Sequence, residues 1–272
     1  MEKYGEILFL GPCNLHCYFC LSNEMPKLNQ DNNDQMHIHF KEWPNFVKYL
    51  YFLREEGIKK IYLSSVTTEP MLYEYIGKLI AYLKSYGFTV GIRTNGYLAI
   101  PKMDELLLCD EEISFSINSL NPATNKKICG ISGIPDYRGI FKTFIENNKK
   151  CRISIVINKY NAHEIKDILN YISVYSCVNY MQIRQVYKYG KKDKEEIVAF
   201  QRTEKWLKEN AKLVGNYYES PIYEYNGLRV SLWKDVFKRE SIHSYNYFTN
   251  GLISEDSLLI PAYEERRGEI HV

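Results

Sequence analysis

Short runs of strand-forming residues recur along the chain, separated by longer segments with helical periodicity. Each run is rich in β-branched or aromatic residues, and turn-forming residues lie between the runs. The six runs are Glu6–Leu10, Lys60–Ser65, Thr89–Thr94, Glu112–Asn118, Arg152–Asn158 and Tyr180–Tyr187. This alternation predicts strands joined by helical crossovers.

Helical periodicity is clearest in two of the intervening segments. After the second strand, apolar residues recur every three or four positions from Leu72 to Leu83, and Gly87 follows as a stop signal. After the fifth strand, a similar apolar stripe follows Asn161 and Glu164, which together form a capping pattern. Further crossover helices are predicted at Lys41–Glu56, Pro101–Leu108 and Tyr137–Asn148.

Successive strand–helix units predict a parallel sheet with right-handed crossovers. The expected fold class is α/β, in the form of a partial (β/α)6 TIM-type barrel with a small C-terminal β-rich appendage. A doubly wound open sheet is the alternative. We divide the chain into a barrel core, residues 1–213, and a C-terminal extension, residues 214–272.

The C-terminal extension has an alternating pattern that is typical of antiparallel strands, with Asn250-Gly251 as a hairpin turn. We expect it to pack on the open side of the barrel. Two roles stay open: it lines the substrate pocket while the loop Ser22–Gln35 closes from above, or it only covers a strand edge. The strand-like segments are Tyr225–Trp233, Ser241–Thr249 and Ser257–Pro261, and the candidate pocket residues are Tyr223, Tyr225, Tyr245 and Tyr247.

Composition and charge narrow the class of partner. The 272 residues carry a net charge of +2, with 45% hydrophobic and 25% charged residues. Duplex nucleic acid and anionic membranes need a strong positive field, so we expect neither as a partner. No apolar run approaches the ~20 residues of a membrane-spanning helix, and Ile7–Leu10 is too short for a signal peptide. We therefore expect a cytoplasmic protein.

Three of the seven cysteines lie within eight residues, directly after the first predicted strand. Cys13, Cys17 and Cys20 have the spacing C-x3-C-x2-C. Three thiolates in one loop can bind three irons of a cubane cluster and leave the fourth iron open to another ligand. The other four, Cys109, Cys129, Cys151 and Cys177, are widely spaced in the sequence.

Two other interpretations of the cysteine cluster stay open on spacing alone. The three thiols would form a zinc site with His16, or with His37 or His39, which flank Ile38. A thiol–disulfide pair of Cys17 and Cys20 would leave Cys13 without a role.

The cysteine motif with Phe19 before its last cysteine resembles the radical S-adenosylmethionine (radical SAM) superfamily. Four further segments at strand ends support the resemblance, which covers roughly residues 5–190. They are Thr67-Thr68-Glu69-Pro70, similar to the family's Gly-Gly-Glu-Pro, Thr94-Asn95-Gly96, Ser116-Ile117-Asn118-Ser119 and Val156-Ile157-Asn158-Lys159. In parallel barrels the carboxyl ends of the strands carry the chemistry, which agrees with this placement.

The resemblance implies a [4Fe-4S] cluster on Cys13, Cys17 and Cys20, with S-adenosylmethionine on the open iron. It implies reductive cleavage to a 5′-deoxyadenosyl radical, which abstracts hydrogen from the substrate. It also implies a one-electron donor of the flavodoxin or ferredoxin type. In such an enzyme the protein positions the cofactor and excludes competing reactions.

The resemblance also implies the residues that bind the cofactor. Glu69 would accept hydrogen bonds from the cofactor ammonium, with Thr68 and Asn95 beside it, and Phe19 would pack near the adenine. Ser116 and Asn118 would bind the ribose hydroxyls, and Asn158 the ribose or adenine. The alternative for Glu69 is a solvated loop residue, and that for Phe19 is an ordinary core aromatic. The alternative for the serine and the two asparagines is ordinary hydrogen bonding at the strand ends.

Two arginines lie within predicted strands beside apolar neighbours. A buried arginine needs an anion, so Arg93 and Arg184 are candidates to bind the cofactor carboxylate or an acidic group of the substrate. We assign Arg184 to the cofactor site. Helix-facing salt bridges are the alternative, more so for Arg93.

Two motifs that the sequence lacks narrow the type of radical SAM enzyme that we expect. No cysteine follows Cys177, so the extension lacks the ligands of SPASM or twitch auxiliary clusters. The fourth strand ends in Ser-Ile-Asn-Ser and not in the Asp-Leu-Lys of glycyl-radical activating enzymes. We expect a single-cluster enzyme that acts on a nucleotide-like molecule, sugar or other small metabolite. Modification of a ribosomally made peptide is the alternative, and a zinc-binding interaction module is the alternative outside enzymes.

Overall fold

All six strands predicted for the barrel core are present. The computed structural model describes residues 2–24, 34–65, 67–187, 193–217, 220–234 and 242–254. Strands β2 and β3 have the predicted bounds, and the others differ by a few residues. The strands are β1 (Glu2–Phe9), β2 (Lys60–Ser65), β3 (Thr89–Thr94), β4 (Ile113–Ser116), β5 (Cys151–Ile157) and β6 (Val178–Gln185).

Seven α-helices lie within the described ranges, most of them as crossovers between successive strands. Their apolar stripes are buried against the sheet; for example, Ile165, Ile168, Leu169 and Ile172 of one helix are each at most 3% exposed. The helices are α1 (Phe46–Glu55), α2 (Ile76–Ser85), α3 (Met103–Leu107), α4 (Pro122–Cys129), α5 (Tyr137–Glu146), α6 (Ile165–Ser173) and α7 (Lys194–Asn210).

The helix predicted over Lys41–Glu56 is wrong in its first turn. A short 3₁₀ turn covers Phe40–Glu42, and α1 begins only at Phe46. Pro44 disfavours the helical conformation of the residue before it, and Trp43 is extended (φ −66°, ψ 128°). Asn45 has a left-handed conformation (φ 59°), which ends the 3₁₀ segment and redirects the chain into α1.

The sheet has eleven strands in the order β11-β10-β1-β2-β3-β4-β5-β6-β9-β8-β7. Strands β1 to β6 are parallel neighbours, as predicted. The C-terminal strands are β7 (Lys212–Tyr217), β8 (Ser220–Tyr225), β9 (Leu228–Trp233), β10 (Ile242–Phe248) and β11 (Ile253–Ser254). The fold is α/β and resembles a partial TIM barrel, which confirms the predicted class.

The C-terminal strands extend both edges of the sheet instead of forming a separate one. Strands β7, β8 and β9 form an antiparallel meander, but β9 is parallel to β6. Likewise β10 is parallel to β1, and only β11 returns antiparallel after Asn250-Gly251. An alternating pattern predicts a strand but not its partner, which is whichever edge offers unpaired backbone groups. Ser257–Pro261 lies outside the described residues, and the division at residue 213 stays a prediction.

The two faces of the sheet differ in polarity. On the helix-facing side, alternate residues of each barrel strand, such as Ile7, Leu63, Ile92 and Phe115, are fully buried in one apolar core. On the other side, which is the inside of the barrel, most positions are polar. They include Glu6, Ser64, Arg93, Ser114, Arg152, Ser154, Gln182, Arg184, Ser231 and Asn246.

The tyrosines predicted to line a pocket lie largely elsewhere. Tyr223, Tyr245 and Tyr247 are buried in the helix-facing core, and the Tyr225 hydroxyl donates to Asn170 Oδ1 (2.9 Å). The extension instead contributes Trp233 to the inside of the barrel, since it pairs in register with Arg184. Period-two alternation defines two faces, but it does not say which face meets the ligand.

Gly91 of β3 allows close contact between neighbouring side chains inside the barrel. A Cβ atom there would lie 2.6 Å from the Tyr62 ring and 2.7 Å from the Glu112 carbonyl oxygen. We expect Gly91→Ala to lower the free energy of unfolding by about 1–3 kcal/mol, measured by urea denaturation. Gly215→Ala, with nothing within 4 Å, is the matched control and should stay within about 0.5 kcal/mol. Equal effects of the two substitutions would contradict this packing.

Two further sequence predictions concern loops and membranes. The predicted closing loop Ser22–Gln35 falls largely on residues 25–33, which lie outside the described ranges. Among the helices that the structure describes, none is both long and apolar enough to cross a membrane.

Candidate active site

The cysteine loop, residues 10–20, leaves β1 at the carboxyl end of the sheet. Two threonines after β2 hold its first residues. Thr67 Oγ1 accepts from the Gly11 amide and donates to the Gly11 carbonyl, both at 3.2 Å. The Thr68 hydroxyl donates to the Pro12 carbonyl. The two threonines, which stand where the family that the sequence resembles has glycines, therefore fix the entry of the loop through their side chains.

The middle of the loop is held by the end of α4. The His16 amide donates to the Cys129 carbonyl (3.0 Å) and the Tyr18 amide to the Ile128 carbonyl (3.1 Å). The hydrophobic pattern does not predict this helix, because only a short apolar stripe marks it. Its end signals were visible, however: Asn121 caps it, Pro122 starts it, and Gly130 ends it at a φ of 83°.

Each of the three loop thiols contacts a different protein group. Cys13 Sγ accepts from the Leu15 amide (3.4 Å), and Cys20 Sγ lies 2.9 Å from the Ser22 hydroxyl. Cys17 lies beside the thiol of Cys129, and a hydrogen-bond interaction between the two raises the pKa of Cys17. In this conformation no three His, Cys, Asp or Glu side chains of the described residues are arranged to hold a metal. Binding of a cluster therefore requires the thiols to exchange these contacts.

The donor set nevertheless fits an iron–sulfur cluster. The three thiols lie on one loop, and all three are partly accessible. Burial raises the pKa of Cys13 to about 11, and the hydrogen bond to Cys129 together with burial raises that of Cys17. Neutral thiols keep only weak hydrogen bonds, which thiolate–iron bonds can replace when the protons are released. Cys13, Cys17 and Cys20 would hold the cluster.

Glu69 is a buried carboxylate, only 3% exposed, so it is not a solvated loop residue. Its Oε1 accepts from the Thr94 hydroxyl (2.5 Å) and the Met71 amide (3.1 Å), and its Oε2 from the Asn95 amide (2.7 Å). Burial raises its pKa to about 7 in spite of these bonds. Glu69 thus joins the ends of β2 and β3, and its charge acts on Cys13.

Asn95 continues this connection to the cysteine loop. Its side-chain amide donates to Asn14 Oδ1 at 2.7 Å, next to Cys13. Its Oδ1 accepts from the Tyr97 amide (3.2 Å). The structure therefore brings Thr68, Glu69 and Asn95 together around the start of the cysteine loop.

The predicted ribose-binding residues are already engaged within the protein. Asn118 donates to Cys129 Sγ (3.0 Å), and Asn158, fully buried, donates to the Val156 carbonyl (3.0 Å). Asn161 does not cap a helix as predicted; it donates to the Asn118 carbonyl (2.9 Å) and so ties the ends of β4 and β5 together. Ser116 ends β4 on the inner face and is half-buried. The ribose roles stay predictions.

The aromatic part of the loop is fixed by a carboxylate that no sequence motif predicts. Phe19 packs edge-on against Tyr18 (5.5 Å between ring centroids). The Tyr18 hydroxyl donates to Oε1 of Glu196 (2.7 Å), a residue of α7 that is only 1% exposed. Glu196 reads as an ordinary acidic residue in a first helical turn, so no sequence signal sets it apart. The adenine contact of Phe19 stays a prediction.

None of the three histidines of the zinc alternative, His16, His37 and His39, forms a metal site with the cysteines in the described part of the chain. His37 lies 3.6 Å from Glu74 at the surface, and His39 Nδ1 accepts from the Lys41 amide (3.3 Å). Residues 36–39 lie in a turn and bend and not in a strand on which both rings would share one side.

The two arginines have different surroundings. Arg93 pairs with Glu6 of β1 across the inside of the barrel, and so it needs no ligand anion. Arg184 Nε donates to Gln182 Oε1 (3.0 Å), and its guanidinium lies 5.9 Å from the ring centroid of Trp233.

The site shares its features with one family of enzymes. The family model described as the radical SAM superfamily matches residues 7–172, more than half of the chain. The protein belongs to this superfamily. Radical SAM proteins are enzymes that use a [4Fe-4S] cluster and S-adenosylmethionine, so the zinc-binding module is not retained.

Two curated relatives and one solved structure illustrate the similarity. An S-adenosylmethionine-dependent nucleotide dehydratase of Thermoplasmatales archaeon (strain ISO4-H5) is 26% identical over 46% of this chain and 41% of its own. A probable GTP 3′,8-cyclase of Methanococcus aeolicus is 28% identical over 62% and 55%. The chain thus spans about half of each relative. The structure is Streptococcus suis SuiB bound to its precursor peptide SuiA, with a TM-score of 0.64, 15% identity, and coverage of 96% and 61%.

Proposed function

We propose that this radical SAM enzyme abstracts a hydrogen atom from a nucleotide-like small molecule inside the barrel. Both curated relatives are named for reactions of nucleotides. The observation that carries the proposal is the polar inner face of the sheet, since a parallel barrel of this size is ordinarily filled by branched apolar side chains. A polar interior next to the cysteine loop favours a polar substrate.

The chain's own residues would hold the cofactors at the carboxyl end of the strands. When bound, the cluster and S-adenosylmethionine supply a one-electron reductive cleavage that generates a carbon radical; radical SAM enzymes need an electron donor for it. Cys13, Cys17 and Cys20 would bind iron, and Glu69 would accept the cofactor ammonium. The Tyr18–Glu196 bond and the end of α4 would keep the cysteine loop in position.

The C-terminal extension would shield this chemistry from water. Strands β9 and β10 cover the two edges of the six-stranded core and add Ser231, Trp233 and Asn246 to its inner face. Exclusion of solvent and of wrong hydrogen donors is a requirement for radical reactions in an active site.

Anaerobic reconstitution with iron and sulfide tests the function. The protein should bind one [4Fe-4S] cluster and, with dithionite, form 5′-deoxyadenosine from S-adenosylmethionine. One of the four ribonucleoside triphosphates, deuterated on the ribose and base, should speed this cleavage and transfer deuterium into 5′-deoxyadenosine. Cleavage without acceleration or deuterium transfer from any nucleotide would contradict the proposed substrate class, while leaving the family unaffected.

A further inference from the structure

Three guanidinium groups from strands β1 to β6 face the inside of the barrel. Arg93 of β3, Arg152 of β5 and Arg184 of β6 occupy inner positions of their strands. Arg152 is in register with Ser114 on one side and Tyr180 on the other, so the three charges share one interior. Concentrated positive charge with limited access to water must be compensated by anions.

Two of the three have a carboxylate partner. Arg93 pairs with Glu6, and Arg152 Nε lies 3.0 Å from Glu112 Oε1. Arg184 differs, because no carboxylate of the described residues pairs with it. Within the described ranges it donates a hydrogen bond to the neutral Gln182 and lies near the Trp233 ring.

No ion pair within the described residues therefore neutralises Arg184. Burial, together with the neighbouring charges of Arg152 and Arg93, lowers the pKa of its guanidinium to about 9, and the more distant charge of Glu6 offsets this only in part. The side chain is only half-buried, so part of it remains accessible.

The position of Arg184 suits a substrate anchor. It is the next-to-last residue of β6, at the carboxyl end from which the cysteine loop also leaves the sheet. Its guanidinium presents a planar set of donors that matches phosphate or carboxylate oxygens in two-point contacts. The hydroxyl of Ser231 and the amide of Gln182 lie on the adjoining inner positions, in register with each other.

We propose that Arg184 binds an anionic oxygen group of the substrate, namely a phosphate of a nucleotide, inside the barrel. This inference rests on the proposed function and names the contact that would hold the substrate. Among the described residues, Arg184 would then have a paired anion only when the ligand is bound. This proposal replaces the earlier assignment of Arg184 as a ligand of the cofactor carboxylate.

The test measures binding on cluster-loaded protein under anaerobic conditions. Affinities for the four ribonucleoside triphosphates, the corresponding nucleosides and S-adenosylmethionine are compared for wild type, Arg184→Met, Arg184→Lys and the surface control Arg54→Gln. At least one triphosphate should bind wild type and lose roughly ten- to hundredfold affinity in Arg184→Met, with a smaller loss in Arg184→Lys. Its nucleoside and S-adenosylmethionine should change less than about twofold.

Thermal stability separates a ligand-binding role from a structural one. Arg184→Met removes a charge that no ion pair among the described residues neutralises, so its melting temperature should equal or exceed that of wild type. Arg152→Met leaves Glu112 without its partner and should melt at a lower temperature. If Arg184 had a structural role, its replacement would instead lower the melting temperature.

Three outcomes would overturn the proposal. If a triphosphate binds and Arg184→Met leaves its affinity unchanged, Arg184 does not hold the phosphate although the proposed function stands. If only S-adenosylmethionine binding weakens, Arg184 holds the cofactor carboxylate. If no triphosphate binds to wild type, the nucleotide class of the proposed function fails, and this inference fails with it.

Discussion

Replacing Cys13, Cys17 or Cys20 by alanine is expected to abolish binding of the [4Fe-4S] cluster and reductive cleavage of S-adenosylmethionine. Each thiolate is expected to hold a different iron, so no remaining ligand of the loop can substitute. Iron and sulfide content, the charge-transfer absorbance of the cluster and formation of 5′-deoxyadenosine measure the effect after anaerobic reconstitution. Because the pKa of Cys13 is raised to about 11, cluster assembly releases protons and should weaken as the pH falls.

Cys109 and Cys177 provide the matched controls. Both are buried, at 1% exposure, away from the cysteine loop, so Cys109→Ala and Cys177→Ala should retain the cluster. Cys129 is the most demanding control, since it hydrogen-bonds to Cys17. Cys129→Ser should also retain the cluster. Loss of the cluster in Cys129→Ser together with its retention in Cys20→Ser would show that the ligand set is wrong.

Glu69→Gln is expected to weaken S-adenosylmethionine binding roughly ten- to hundredfold while the cluster stays intact. The predicted partner of Glu69 is the cofactor ammonium, and loss of a charge-assisted hydrogen bond in a partly closed site costs about 1.5–3 kcal/mol. Glutamine keeps the shape of the side chain and an acceptor for Thr94 and Met71. Equilibrium dialysis on the cluster-loaded protein measures the affinity. Glu74→Gln, on an exposed side chain, is the control, and a change below about twofold would contradict the role.

The pH dependence of stability provides a second measure of Glu69. Burial raises its pKa to about 7 from the ordinary 4.5, so between these values the folded chain holds one proton more than the unfolded chain. The free energy of unfolding of the cluster-free protein should therefore fall, by on the order of 3 kcal/mol, as the pH rises through this window. Glu69→Gln should lack this contribution. Urea denaturation of both proteins at several pH values isolates it, and parallel curves would contradict a buried, ionisable Glu69.

The parts of the site that are marked by local sequence motifs were predictable. Three such motifs follow successive strands: C-x3-C-x2-C, the segment with Glu69, and Thr94-Asn95-Gly96. Parallel strands bring their carboxyl ends to one edge of the sheet, so these motifs lie close together. Glu196 and Cys129 were not predictable as parts of this site. They lie 178 positions after Tyr18 and 112 after Cys17 in the sequence, and only the packing of α7 and α4 brings them to the cysteine loop.

The order of strands and helices, the parallel core and the cysteine motif follow from the sequence, because periodicity, caps and ligand spacing are local properties. The pairing of β9 and β10 does not follow from it and depends on the folded sheet, because these strands pair with the edges whose backbone groups are left unpaired. The fold also determines which arginine lacks a paired carboxylate among the described residues. Arg93 and Arg184 have similar local sequence, but among the described residues Glu6 of β1 forms an ion pair only with Arg93, and charge compensation depends on distance in space.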